Sequence, residues 1–179
     1  MTYETNVAAL GEKTSNLIEG LWVKHMTGTL SFDEFSVTAT RLLVSAQAKG
    51  VAISELTLAG YFQQAGLAVP AFQGLQTVAS TDGLQKAVAT IAASDLDTVM
   101  QLRRLATAEV MEAAGNGYQK AMKGYKQIEG YTRGLDSGAC ELCRWLYKDG
   151  FVYPAGQSMH RHKGCLCHPV PTFKNVPKG

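Results

Sequence analysis

Residues 128–173 read IEGYTRGLDSGACELCRWLYKDGFVYPAGQSMHRHKGCLCHPVPTF, and the change of texture where they begin decides the fold. Upstream, apolar side chains recur at helical spacing. From here on, Gly130, Gly134, Gly138, Gly150 and Gly156 cut the chain into short pieces that read as strands at 128–133, 151–153 and 167–173. The expected fold class is mainly α (α+β). A helical body is expected over 1–125, a small β-rich module over 126–173, and an extended tail over 174–179.

Working back from that boundary, Val7, Leu10, Leu17, Ile18, Leu21 and Trp22 predict an amphipathic helix over 5–25 with Gly28 as its stop. Ser31 followed by Glu34 is a capping box, in which each side chain satisfies the other's backbone amide. It opens a second helix with Phe35, Ala39, Leu42, Leu43 and Ala46 inward, ending near Gly50. A third is expected over 54–66, with Leu56, Tyr61 and Phe62 inward. A loop then runs over 68–82 and a short helix over 84–92. The longest pattern runs 96–125, with a bend expected at Gly115-Asn116-Gly117 because each Gly costs about 1 kcal/mol against Ala inside a helix. Arg103 and Arg104 read as a solvated face, or else as a contact for phosphate or carboxylate.

The 179 residues carry a formal charge of +2, which excludes a strongly basic nucleic-acid coat. The charge is uneven: net −4 over 1–100, +2 over 101–139 and +4 over 140–179. Residues 1–12 lack the basic start and apolar run of a signal peptide, and no apolar run is expected to span a bilayer. The reading is a soluble product of a reducing cytosol, where disulfides are rare, with no membrane partner.

All four cysteines lie in 128–173. Cys140-Glu141-Leu142-Cys143 is a CxxC knuckle, which lets two thiolates converge on one ion. Residues 144–164 separate it from Cys165-Leu166-Cys167-His168, close to the spacing of zinc ribbons. Cys140, Cys143, His162, Cys165 and Cys167 therefore compete for four places around one structural zinc, with His160 and His168 as outside candidates. A catalytic zinc would keep one place open for water. Disulfides or free thiols are the alternative without a metal. An extended arm would put Cys165 and Cys167 on one face and favour the four-cysteine set. With little apolar surface of its own, the module should unfold when a knuckle cysteine is lost, leaving the helical body largely intact.

The pattern Tyr131-Thr132-Arg133, Ser137 to Leu146 with its CxxC, Gly150-Phe151-Val152-Tyr153, His162-Lys163-Gly164-Cys165-Leu166-Cys167 and 169–173 resembles the C-terminal signature of Mu F-like minor head (head morphogenesis) proteins of tailed phages, especially those of actinobacterial phages. The likeness covers 128–173. Many members read His-Pro-x-Cys-Arg-Cys at the second arm, so the proline and arginine are missing here. The resemblance implies a turn at Lys163-Gly164 that brings His162 beside Cys165. It also implies a non-enzymatic minor capsid protein acting inside the head near the portal. Its expected partners are the portal protein and the major capsid or scaffold protein, with packaged DNA as a further one. Its expected location is the virion interior, and the host cytoplasm during assembly.

The alternatives are a capsid maturation protease or its fusion partner, a zinc-containing HNH-type nuclease and a plain zinc-binding DNA module. A serine protease needs a nucleophile, base and orienting group together. The one histidine outside the cluster is His25, expected to be an ordinary helix residue, and no GxSxG elbow occurs. An HNH nuclease needs Asn and His beyond the knuckle in a pattern this chain lacks, and no helix there offers a row of Arg and Lys to a groove.

Overall fold

A computed structural model describes residues 2–75 and 80–174. The expected loop at 68–82 therefore falls partly, and the expected tail almost wholly, outside the described residues. The described residues form α1 (Tyr3–Met26), α2 (Phe32–Gln64), α3 (Thr81–Ala92), α4 (Thr98–Lys123), β1 (Ile128–Gly134), α5 (Glu141–Tyr147), a short 3-10 turn (Lys148–Gly150), β2 (Tyr153–Pro154) and β3 (His168–Phe173). The mainly α (α+β) expectation holds.

Local chemistry explains where the helices begin and end. Thr2 caps α1, and Gly28 ends the turn that follows it in the left-handed region at φ +75°. The capping box at Ser31 forms as expected: Ser31 Oγ accepts from the Glu34 amide at 3.2 Å, and the Ser31 amide donates to the Glu34 carboxylate at 2.9 Å. Ser80 caps α3, which begins earlier than expected, and Asp97 caps α4.

One helix expected to end near Gly50 does not, and α4 runs unbroken through Gly115-Asn116-Gly117. Residues 32–64 form one helix of about 50 Å at 1.5 Å per residue. At Gly50, a Cβ would lie 3.1 Å from the Val110 carbonyl oxygen of α4. Four residues on, Ser54 Oγ donates to the Ala114 carbonyl at 2.6 Å. In α4, a Cβ on Gly117 would lie 3.0 Å from Val51. These glycines let α2 and α4 approach closely where they cross, so their propensity cost is offset by packing. Phe62 is wholly buried, whereas Leu56 is exposed, against expectation. By length and composition α2 would also suffice to cross a bilayer, contrary to the expectation from sequence. Here it is the central core helix, burying Phe35, Leu43, Leu58 and Phe62.

The core has two parts. Ile18, Phe35, Leu43, Val88 and Leu102 fill the end of the bundle covered by α3. At the other end Val7, Leu58, Phe62 and Tyr118 share one cluster with Ile128, Tyr131, Tyr153, Cys143, Cys165 and Cys167. The sheet, ordered β2-β1-β3, has β1 antiparallel to both neighbours, with Tyr131 opposite Tyr153 and Pro171. Pro169 and Pro171 are tolerated because β3 is an edge strand. Phe173 meets Phe62 edge-on at 4.8 Å between centroids. The sheet thus sits on the helices through a common apolar core.

One carboxylate at the α2–α4 contact makes pH-dependent stability testable. Glu109 accepts from Gln47 Nε2 at 2.7 Å. Burial, then the nearby Glu112 charge, raise its carboxyl above the usual value. The folded chain therefore holds this proton more tightly than the unfolded chain, and stability is lost as pH rises from the ordinary carboxyl range through the raised value. Glu109→Gln should raise the melting temperature at pH 7 by roughly 1–3 °C and flatten this part of the profile. Melts of both proteins between pH 4 and 8 check it; an unchanged slope would count against the assignment.

Candidate metal centre

The knuckle is the start of a helix, which sequence reading missed. Cys140 occupies the N-cap of α5 with extended backbone, and Cys143 lies in the first turn. Positions three apart share a helix face, so both sulfurs turn to the same side. The helix ends where Lys148, Asp149 and Gly150 take left-handed backbone at φ 45°, 52° and 81°. That reversal feeds β2, whose Tyr153 hydroxyl donates to the Leu146 carbonyl.

The second arm arrives from the other side. Its turn at Lys163-Gly164 is present: Gly164 has φ +81° and the Cys165 amide donates to the His162 carbonyl at 3.1 Å, but the His162 ring groups with Cys140 and Cys143 rather than with Cys165 as expected. The donor atoms of Cys140, Cys143 and His162 all lie within 4.8 Å of one another, as do those of Cys143, Cys165 and Cys167. Cys143 belongs to both groups. Its sulfur is 3.6 Å from that of Cys165. Two thiolates about 2.3 Å from one tetrahedral ion would stand about 3.8 Å apart, whereas a disulfide needs about 2.05 Å. The spacing suits a shared cation, and all four cysteines are free. The five candidate ligands therefore form a site able to hold a metal ion.

Cys143, Cys165 and Cys167 are buried, Cys140 is partly exposed and His162 is exposed. Burial pushes the Cys143 thiol up to about 11. The Cys143 amide, donating to Cys140, lowers that thiol instead. The neighbouring Cys167 thiol lowers Cys165, and Cys167 is itself raised by Cys165 and by burial. A hydrogen bond to the Lys163 carbonyl raises His162. A cation binding here would have to displace protons from the raised thiols, so its affinity would depend on pH.

Two further residues surround the sulfurs. Arg133 on β1, buried, donates to Cys143 Sγ at 3.5 Å and to the His160 carbonyl at 2.7 Å. Asp136 accepts from Cys167 Sγ at 3.3 Å. The signal for Arg133 was its place just before the turn that leads to the knuckle; for Asp136 there was none.

The remaining histidines lie elsewhere. His168 is turned toward the helical body, with Nδ1 3.1 Å from Glu4 and Nε2 3.3 Å from the Tyr61 hydroxyl, and it packs on Tyr3. Burial lowers its pKa. It pins β3 to α1 and α2. His160 lines a cleft of about 450 Å³ with Met111, Gln119 and Arg161. Arg161 lies over Gly115, filling the place of a Cβ, and donates to Asn116 at 2.9 Å. His25 stacks on Phe35 beside Trp22, an ordinary packing role. Arg103 pairs with Glu19 and Asn16, so it faces α1.

Fold and site define a small α+β protein whose thiol-rich module is built onto a helical bundle. The chain belongs to the VG15 protein family, whose model matches residues 2–178, and this makes it a phage gene product. No curated protein and no solved structure matches it.

Proposed function

We propose that this chain is a structural component of a tailed-phage head: a minor capsid protein acting inside the head near the portal during assembly, with one structural zinc in its C-terminal module. The observation that carries the reading is that two donor groups, Cys140–Cys143–His162 and Cys143–Cys165–Cys167, meet at the Cys143 sulfur. These five donors can fill all four places around a zinc ion with protein atoms, the arrangement of a structural rather than a catalytic site. Membership of a phage family supports the viral setting, and the resemblance of 128–173 to Mu F-like head proteins supports the head.

The partners in this reading are the portal protein and the major capsid or scaffold protein, with packaged DNA as a further contact. An exposed face on the module supports docking. Leu142, Trp145 and Phe151 are 43%, 68% and 51% exposed, and Lys148 lies over both aromatic rings. Large aromatic side chains left in water are typical of interaction surfaces. The protease alternative would need a nucleophile aligned with a base, and His25, held among aromatic rings with its Nδ1 on the Leu30 carbonyl, offers no support for it.

Mass spectrometry of purified procapsids and virions tests the proposal. The protein should be present in few copies per particle. Its absence from both would reject the head assignment.

A further inference from the structure

Arg133 is only 3% exposed, and a buried cation needs an anion. Among the described residues no carboxylate lies within ion-pair distance of it. One of its two terminal nitrogens is held by the His160 carbonyl, a neutral acceptor. Its Nε has no partner. The other terminal nitrogen points at Cys143 Sγ, 3.5 Å away. Cys143 is also the sulfur common to both donor groups.

We propose that Arg133 is the counter-ion of the metal centre, a positioning residue that donates to the Cys143 thiolate and offsets the negative charge of the loaded site. The inference rests on the cation site argued above. A divalent ion with three thiolates and one imidazole carries net −1, and with four thiolates −2. Either centre includes the buried Cys143 sulfur, which Arg133 on β1 faces, and either is favoured by a fixed positive charge. With three thiolates and His162, one guanidinium offsets the net charge of the ion and its ligands, while the Asp136 carboxylate beside Cys167 adds one more negative charge nearby. Arginine suits the place because its planar fork serves the His160 carbonyl and the sulfur together, whereas a lysine could supply the charge but not both bonds. Groups in this position orient a ligand and tune its basicity, and their loss typically lowers metal affinity 10–100-fold.

The test is titration of zinc, and of cobalt(II) as a spectroscopic probe, into reduced wild-type, Arg133→Gln and Arg133→Lys proteins. Wild type should take up one ion. Arg133→Gln should bind at least about 10-fold more weakly, with a shifted thiolate-to-cobalt charge-transfer band, and Arg133→Lys should recover part of both. If Arg133→Gln is folded and matches wild type in affinity and spectrum, Arg133 is only a packing residue and the inference fails while the metal site stands. If wild type binds neither ion, both fail. Should Arg133→Gln not fold, ¹⁵N-labelled wild type loaded with ¹¹³Cd decides. The Arg133 guanidinium protons should shift on loading and show coupling to the cadmium across the sulfur; no shift and no coupling would overturn the proposal.

Discussion

Replacing Cys143 with serine should lower the melting temperature of the whole chain by about 10 °C or more and should abolish the effect of a chelator. The size follows from three roles that meet in one side chain. Its sulfur belongs to both donor groups, it takes the Arg133 hydrogen bond, and it is 1% exposed within the larger core cluster. Structural zinc supplies about 10–16 kcal/mol of apparent binding in zinc-finger peptides. Part of that would be retained here through the apolar contacts of Ile128, Tyr131 and Phe173 with the bundle. A net loss of about 4 kcal/mol corresponds to roughly 8–16 °C in a domain of this size. Because Tyr3, Phe62 and Tyr118 share a cluster with the module, unfolding should be a single transition, rather than a melted module on an intact body as the composition of 128–173 suggested. Cys140→Ser, at a partly exposed position, should cost less. Melts followed by far- and near-ultraviolet dichroism, with and without chelator, check the order. Equal melting temperatures for the two variants and wild type would contradict it.

The second large effect is expected at the crossing of α2 and α4. Gly117→Leu should destabilise the protein by about 3 kcal/mol or more. Removing a helix glycine is worth up to about 1 kcal/mol in propensity. Against that, even the first added carbon would stand 3.0 and 3.1 Å from the Val51 methyl groups and 3.2 Å from its Cα. Overpacking of this kind costs about 1–3 kcal/mol, occasionally more, and a Leu adds three further carbons. Gly20→Ala is the matched control, since nothing lies within 4 Å of its added carbon; it should stabilise by up to about 1 kcal/mol. Denaturant unfolding of both variants separates packing from propensity. Stabilisation by Gly117→Leu would mean that the helices do not cross as described.

These glycines also show where sequence reading stops. The capping box at Ser31 was legible because every atom it needs lies within four residues. Whether Gly50 ends a helix or admits another depends on Val110 and Ala114, some 60 residues away, as the Ser54–Ala114 bond illustrates. The strands were legible from glycine spacing to within a few residues. α5 was not, because seven residues are too few to display a period. At the site, the CxxC and HxxCxC spacing named all five residues of the two donor groups that meet at Cys143. It could not show that His168 turns away to Glu4 and Tyr61, nor that Arg133 turns in, since both depend on how β1 and β3 lie on the bundle.

In this reading the four thiols and His162 supply the donors of one closed cation site. Elemental analysis of freshly purified, reduced protein, paired with a count of reactive thiols in the native state, tests it most directly. One zinc per chain, with the cysteines protected until a chelator is added, is the predicted result. No bound metal and four freely reacting thiols would contradict it.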